Sequence, residues 1–150
     1  MVWVRMLEAA VKGLARDANE QDVVLLKHGK KILPIWIGPS EALSIAQALT
    51  GTPAPRPMTH DLFHDVLRGL GAFVYRVYID RLENSTYYAK CGLLAGDKKT
   101  DFDSRPSDAI ALALRFKAPI FISESLLRYM IDDDDAQTGP VEPPADHSPG

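Results

Sequence analysis

The ten residues Asp101–Ile110, which read DFDSRPSDAI, decide the fold because they mark the passage from a strand into the central helix. Polar residues fill the first part of the stretch, and an apolar helical pattern follows at once. Pro106 suits the first turn of a helix, where its missing N–H is not needed and its fixed φ is already helical. The stretch therefore predicts a helix that begins near Arg105 and runs to about Lys117.

The polar residues at the start of this helix allow two interpretations. Ser104, Ser107 and Asp108 are types that accept hydrogen bonds from free N-terminal amides or suit the positive end of the helix dipole. Capping does not explain Arg105, because a cation at a helix N-terminus opposes the dipole. In the second interpretation, Arg105 and the helix N-terminus attract phosphate, while Asp103 and Asp108 hold a divalent metal ion.

The composition is that of an ordinary globular protein. The chain has 150 residues, of which 46% are apolar and 25% are charged. Cys91 is the only cysteine, so no internal disulfide can form and a cytoplasmic location is expected. The N-terminus lacks the pattern of a signal peptide, and no apolar stretch approaches the roughly 18 residues of a membrane span. We therefore expect no membrane contact.

The acidic residues are concentrated at the C-terminal end. Residues 132–150 carry six acidic and no basic residues, whereas residues 1–131 carry 17 basic and 14 acidic ones. This contrast predicts a domain over residues 1–131 and an acidic, proline-rich disordered tail over residues 132–150. A mildly basic domain permits a nucleic-acid partner without requiring one, because strong binders show a clear basic patch.

Hydrophobic patterning predicts a single compact α+β domain with a mixed, largely antiparallel sheet and three to four helices. Predicted strands cover residues 2–14, 23–27, 31–37, 73–82, 86–94, 98–103 and 119–122, and predicted helices cover 41–49, 60–70, 105–117 and 123–130. Pro34 predicts that the third strand is an edge or carries a bulge, because proline cannot donate to the ladder. We expect one side of the first helix to carry Ala42, Leu43, Ile45, Ala46 and Leu49. The buried stripe of the second helix is predicted to consist of Leu62, Phe63, Val66, Leu67 and Leu70. One face of the fourth strand is predicted to carry Phe73, Tyr75, Val77 and Ile79.

Side chains typical of hydrolytic sites lie near three predicted helix starts. They are Glu41 on the first helix, His60 with Asp61 on the second, and the segment 103–108 before the third. If the fold brings them together, carboxylates and Arg105 would bind a metal-bridged phosphodiester, activate water and stabilise the developing charge. His60 would shuttle a proton, because its reference pKa suits that role.

Other kinds of site have less support. His60 and His64 stand four residues apart, as in some zinc sites, but the zincin glutamate and a clear third ligand are missing. The alternative is that His60 makes a local hydrogen bond while His64 and Asp65 are solvated. The sequence has no GxGxxG, P-loop, GxSxG or CxxC motif, so we expect no nucleotide cofactor.

Three segments resemble the bifunctional nuclease domain family in order and spacing. They are LPIWIG at residues 33–38, RPMTHDL at 56–62 and DSRPSDAI at 103–110, and the resemblance spans roughly Val4 to Leu127. It implies a compact α/β domain that pairs as a homodimer and acts on both DNA and RNA.

The resemblance also implies a set of site residues. The predicted catalytic residues are His60, Asp61, Asp103, Arg105 and Asp108. Substrate binding is predicted for Arg105 and Ser107. The predicted ligands of Mg²⁺ or Mn²⁺ are Asp103, Asp108 and Glu41.

A second function is compatible with the same residues. The chain would be a non-catalytic homodimeric binding or regulatory module, in which Arg105 and Asp108 form a fixed network of ion pairs and caps. The modest number of basic residues favours it, since a strong nucleic-acid groove needs more of them.

Overall fold

A computed structural model describes residues 4–136 and shows one eight-stranded sheet with its long helices on one face. The strands are β1 (Met6–Arg16), β2 (Asp22–His28), β3 (Lys31–Ile37), β4 (Ala72–Glu83), β5 (Thr86–Ala95), β6 (Lys98–Ser104), β7 (Ile120–Ser123) and β8 (Ile131–Asp132). The helices are α1 (Pro39–Thr50), α2 (Thr59–Gly69), α3 (Pro106–Phe116) and the short α4 (Asp133–Ala136), and a 3-10 helix covers Glu124–Tyr129.

The order of strands across the sheet is β6-β5-β4-β7-β1-β2-β3-β8. Among the described strands only β4 and β7 are parallel neighbours, and all the other neighbours are antiparallel. The predicted α+β fold with a largely antiparallel sheet is therefore confirmed. None of the helices within residues 4–136 is long and apolar enough to span a membrane.

Helix α3 forms the centre of the main core. Its residues Ala109, Ile110 and Ala113 are completely buried against β4 and β5, and they contribute to one apolar cluster with side chains from β1, β2, β3 and β7. The helix begins at Pro106 and ends at Phe116, in agreement with the prediction. Its burial fixes the orientation of its N-terminus, where the polar residues of DFDSRPSDAI stand.

The turn and edge predictions hold. Asn84 and Ser85 both have positive φ in the connection between β4 and β5, as a tight hairpin requires. Pro34 pairs with Leu25 on one side, while β8 borders β3 only at Lys31 and Ile32. The position of Pro34 is therefore an open edge, where the missing N–H does not interrupt a ladder.

The predicted alternation in β4 is wrong because the strand carries a bulge. The register with β5 shifts between Val74 and Arg76, so that Val74 and Val77 both face the core. Phe73, predicted to share a face with Val77, is 45% exposed. One extra residue in a strand reverses the face of every side chain before it, and periodicity alone does not reveal such an insertion.

The apolar side of α1 is only partly buried, and the predicted buried stripe of α2 is wrong. In α1 only Ala42, Ser44 and Ile45 are buried, and Leu43 and Leu49 face solvent. In α2 no residue is buried. Four apolar residues of α2 and its C-cap, which we call the α2 stripe, are exposed by 47% to 77%: Leu62, Phe63, Val66 and Leu70. The stripe arises because α2 contacts α3 and β4 with its other side.

Order continues beyond the predicted end of the domain. Asp132 pairs with Lys31 in the sheet, and the N–H of Asp133 donates to the carbonyl of Lys30 at 2.9 Å. The carboxylate of Asp133 accepts hydrogen bonds from Lys12 and Lys27. Residues 132–136 thus belong to the fold, contrary to the predicted boundary. The rest of the predicted tail, residues 137–150, lies outside the described residues.

Shortening the chain tests this boundary. A protein that ends at Ile131 should unfold at a lower urea concentration than one that ends at Ala136, because it loses the β8 pairing and both lysine contacts. Equilibrium unfolding followed by circular dichroism measures the difference. Equal midpoints for the two truncated proteins would contradict a structural role for residues 132–136.

Candidate functional site

Three helix N-termini converge on one side of the sheet. Helix α1 follows Gly38, α2 follows Met58 and α3 follows Arg105, and all three preceding residues have extended backbone. Prolines at the first turns of α1 and α3 start these helices without loss of a hydrogen bond. The convergence brings together groups that are far apart in the sequence.

Arg105 joins two carboxylates from different helices. Its Nε donates to Asp108 Oδ2 at 2.9 Å and its Nη2 to Asp108 Oδ1 at 3.1 Å, which makes a bidentate pair. Its Nη1 donates to Glu41 Oε1 at 3.1 Å. A Cβ atom at Gly38 would lie only 2.5 Å from a carboxylate oxygen of Glu41, so glycine leaves the space that this carboxylate occupies.

His60 extends the network to α2. Its Nε2 lies 2.9 Å from Asp108 Oδ1, and its Nδ1 lies 2.6 Å from the hydroxyl of Ser44. If Nε2 carries the proton, it donates to the carboxylate, and Nδ1 then accepts from Ser44. Both ring nitrogens are thus engaged, and the orientation of the imidazole is fixed. We call the connected set Glu41, Ser44, His60, Arg105 and Asp108 the ionic cluster.

The ionic cluster favours the charged forms of Asp108 and Arg105. Hydrogen bonding by His60, and then by Arg105, lowers the pKa of Asp108 to about 2, although burial opposes this shift. Hydrogen bonding to Asp108 and Glu41 raises the pKa of Arg105. Asp108 is therefore a carboxylate across the physiological pH range, and Arg105 remains a cation beside it.

The ionic cluster is open to small molecules. A cleft of about 230 Å³ is lined by Ser40, Met58, Thr59 and all five cluster residues. A second cleft of about 640 Å³ reaches His60, Arg105 and Asp108 from the side of β5 and β6. The side chain of Arg105 is 55% exposed and that of His60 is 14% exposed. A ligand can thus reach the guanidinium directly and the imidazole only at its edge.

Ser44 is the member of the cluster that the sequence analysis missed. It lies one turn after Glu41 on α1 and is 8% exposed. A serine on the packed side of a helix is common and indicates no function by itself. Ser44 becomes a functional candidate only because His60 lies next to it. The signal that could have found it is the spacing of three residues from Glu41, which puts both side chains on one helix face.

Two of the predicted site residues, Asp61 and Ser107, do not belong to the ionic cluster. Asp61 accepts from Arg115 Nε at 2.8 Å and from the N–H of Met58 at 2.9 Å, and the Arg115 bond is the main cause of its lowered pKa. It therefore caps α2 and ties that helix to α3. Ser107 is completely buried. Its role in substrate binding stays a prediction.

The third departure concerns Asp103 and the predicted metal site. Asp103 lies at the rim of the larger cleft, but its side chain is 71% exposed and its ion pair, at 4.0 Å, is with Lys90. Glu41 and Asp108, the other two predicted ligands, are bridged by Arg105 instead. Within residues 4–136 no group of three or more His, Cys, Asp or Glu side chains is arranged to hold a metal ion. The residues present do not fit a resident Mg²⁺ or Mn²⁺.

His64, four residues after His60, does not join the ionic cluster. Its Nδ1 lies 3.0 Å from Asp65, and its ring lies 4.4 Å from the ring of Phe116. This arrangement gives the two histidines of α2 different partners. The hypothesis of a zinc clamp therefore has no support from the described contacts.

Comparison with known proteins identifies the family of this chain. A family model described as the bifunctional nuclease domain matches residues 23–132. The chain belongs to this family. An uncharacterized protein of Mycobacterium tuberculosis strain H37Rv is 41% identical over 125 residues, which cover 81% of this chain and 74% of that protein. The predicted resemblance is thus confirmed.

Plant members of the family carry names that refer to an activity. Bifunctional nuclease 1 of Oryza sativa subsp. japonica is 26% identical over 117 residues, which cover 74% of this chain and 35% of that protein. Bifunctional nuclease 2 of Arabidopsis thaliana is 31% identical over 98 residues, or 63% of this chain and 30% of that protein. The bifunctional nuclease domain here thus spans about a third of these plant proteins.

The ionic cluster predicts a pH-dependent contribution to stability. Because the folded pKa of Asp108 is lowered from 3.8 to about 2, the contribution is complete above about pH 4 and is lost as the pH falls towards 2. With a discount for partial exposure, Asp108→Asn should lower the free energy of unfolding at pH 7 by about 1–2 kcal/mol.

Urea unfolding at pH 7, 5 and 3 measures this contribution. The difference between wild type and Asp108→Asn should shrink between pH 5 and pH 3, whereas Asp103→Asn, which changes an exposed carboxylate, should differ little from wild type throughout. A difference that stays constant down to pH 3 would show that Asp108 is not held as a carboxylate by its partners.

Proposed function

We propose that this bifunctional nuclease domain hydrolyses the phosphodiester bonds of DNA and RNA. The observation that carries the proposal is the convergence of His60, Arg105, Asp108 and Glu41 beside open clefts. The names of the plant relatives support the same reaction class. A cytoplasmic location is a further part of the proposal and has only the single cysteine behind it.

Four members of the cluster have a role in this reaction. The exposed guanidinium of Arg105 binds a phosphate oxygen and stabilises the charge that develops there. A water oxygen attacks the phosphorus while the bond to the leaving oxygen breaks. The proton of the water passes through the Ser44 hydroxyl to Nδ1 of His60, and the leaving oxygen takes a proton from solvent. Asp108 holds the imidazole and stabilises it when it becomes positive.

The proposed dependence on Mg²⁺ or Mn²⁺ concerns an ion that is not resident. Mg²⁺ is often bound by one or two carboxylates together with substrate phosphates. Glu41 and Asp108 are the carboxylates beside the proposed phosphate position. We therefore expect the purified protein to carry no tightly bound ion and its activity to require added Mg²⁺ or Mn²⁺.

Cleavage assays test the nuclease proposal. Fluorescent DNA and RNA oligonucleotides should be cleaved in the presence of added ion and not in the presence of EDTA. His60→Ala should reduce the rate by about 10²–10⁴-fold, the usual contribution of a general base. His64→Ala is the matched control, because it removes a histidine one turn away on the same helix.

The cleavage rates of wild type and His60→Ala show whether the activity belongs to this protein or to a contaminating nuclease. A rate that is equal in wild type and His60→Ala preparations would show that the activity belongs to a contaminant. Equal losses in His60→Ala and His64→Ala would show that α2 matters to the reaction only through the stability of the fold.

One observation favours the second function, a non-catalytic binding or regulatory module. Every charged side chain of the ionic cluster already has a partner of opposite charge within it. In that case Arg105→Ala would lower the melting temperature, while wild type would show no cleavage with either ion. The cleavage assay on wild type therefore separates the two functions.

We also propose that the domain forms a homodimer through the α2 stripe. Its four apolar residues lie on one side of α2, next to a small apolar hollow lined by Thr59 and Leu67. A contiguous exposed apolar face of this kind is typical of a protein interface. A second copy of the chain is the occupant that the family resemblance implies.

A charge placed in the stripe tests the dimer. Val66→Glu should convert a dimer into a monomer, because the dimer would have to bury an unpaired carboxylate. The control is Val4→Glu, which places the same charge at a valine that is 55% exposed outside the stripe. Light scattering coupled to gel filtration gives both masses. A wild-type monomer, or a Val66→Glu dimer, would contradict the proposal.

A further inference from the structure

The larger cleft beside the ionic cluster has largely apolar walls. Its volume of about 640 Å³ lies within the range of roughly 300–1,000 Å³ that is typical of small-molecule sites. The apolar lining comes from two helices and the sheet: Phe63 of α2, Leu112 of α3, and Cys91, Leu93 and Phe102 of the sheet. The polar groups His60, Arg105 and Asp108 also line this cleft.

Two exposed aromatic rings flank this cleft from different elements. Phe63 is 47% exposed and Phe102 is 50% exposed. Phe102 pairs with Cys91 across β5 and β6, so its ring lies on the helix side of the sheet, facing the cleft. Phe102 is therefore not part of the α2 stripe, and its exposure has no explanation in the packing of the described residues.

The wall of the cleft beneath these rings is uncharged. Burial raises the pKa of the Cys91 thiol to about 11, so the thiol stays neutral, and Leu93 and Leu112 are apolar. The charged groups at the cleft are Asp103 on its rim and Arg105 and Asp108 of the ionic cluster, of which Arg105 offers a cation. A ligand with a flat, uncharged part and an anionic part matches these surroundings.

We propose that this cleft binds one unpaired nucleobase of a single-stranded nucleic acid, stacked against Phe102. The inference rests on the proposed function, because the phosphate next to the base is the one that meets Arg105. Stacking on aromatic side chains tolerates any base, since each base has a flat face. It also reads no 2′-hydroxyl, which agrees with action on both DNA and RNA.

This assignment implies a preference for single strands. A base in a duplex is stacked on its neighbours and paired at its edge, so it must leave the helix before it can enter the cleft. The cost of that step is absent for an unpaired base. The domain should therefore bind and cleave single strands, loops and frayed ends better than paired segments.

Binding measured without added ion tests the cleft separately from cleavage. The probe is a short thymidine oligonucleotide that contains one 2-aminopurine, used in EDTA, both alone and annealed to its complement. Stacking on Phe102 should quench the fluorescence of the single strand. Phe102→Ala should weaken its binding by roughly 10-fold, the scale of one lost stacking contact. Phe102→Tyr should restore binding.

Phe73→Ala is the matched control, because it removes another phenylalanine that is 45% exposed but outside this cleft. Equal binding by wild type and Phe102→Ala, equal losses in Phe102→Ala and Phe73→Ala, or duplex binding as tight as that of the single strand would each overturn the nucleobase site. Binding that depends on Phe102 in a protein without cleavage would refute the nuclease proposal and leave the nucleobase site in place.

Discussion

The carboxylate of Asp108 is the point at which the three long helices are held together. One of its oxygens lies 2.9 Å from His60 of α2, and the Arg105 guanidinium that pairs with it also reaches Glu41 of α1. Each helix N-terminus carries a partial positive charge, so three of them in one place repel one another. Glu41 and Asp108 offset this repulsion. The interactions that position the helices are thus the same ones that build the candidate site.

This double role explains why the cluster is compatible with two functions. A network whose charges are all paired stabilises the fold, and the same pairing fixes an imidazole and exposes a guanidinium beside a cleft. Catalysis needs more than pairing, because a substrate must compete with the carboxylates for Arg105. Its 55% exposed side chain makes such an exchange sterically simple. The apolar cleft next to it supplies binding energy that does not depend on charge.

Local chemistry was the part of the structure that the sequence predicted well. Helix α3, the hairpin at Asn84 and the edge position of Pro34 follow from backbone preferences that act within a few residues. The convergence of Glu41, His60 and Arg105 was predicted as a condition of function, but the topology that produces it was not. What the sequence did not reveal are long-range facts: the extra residue in β4, the burial of Ser107, the exposure of Asp103, and the exposure of the α2 stripe among residues 4–136. An amphipathic pattern shows that a face is apolar and does not show what will cover it.

The central claim is that the cluster acts in cleavage as one unit. A double-mutant cycle on the single-turnover cleavage rate tests it most directly, with Arg105→Ala, Asp108→Asn and the two combined, each confirmed as folded. Residues that act as a unit are strongly non-additive. The account predicts that the double variant loses about as much rate as the worse single variant. Losses that multiply, or no loss in any variant, would contradict it.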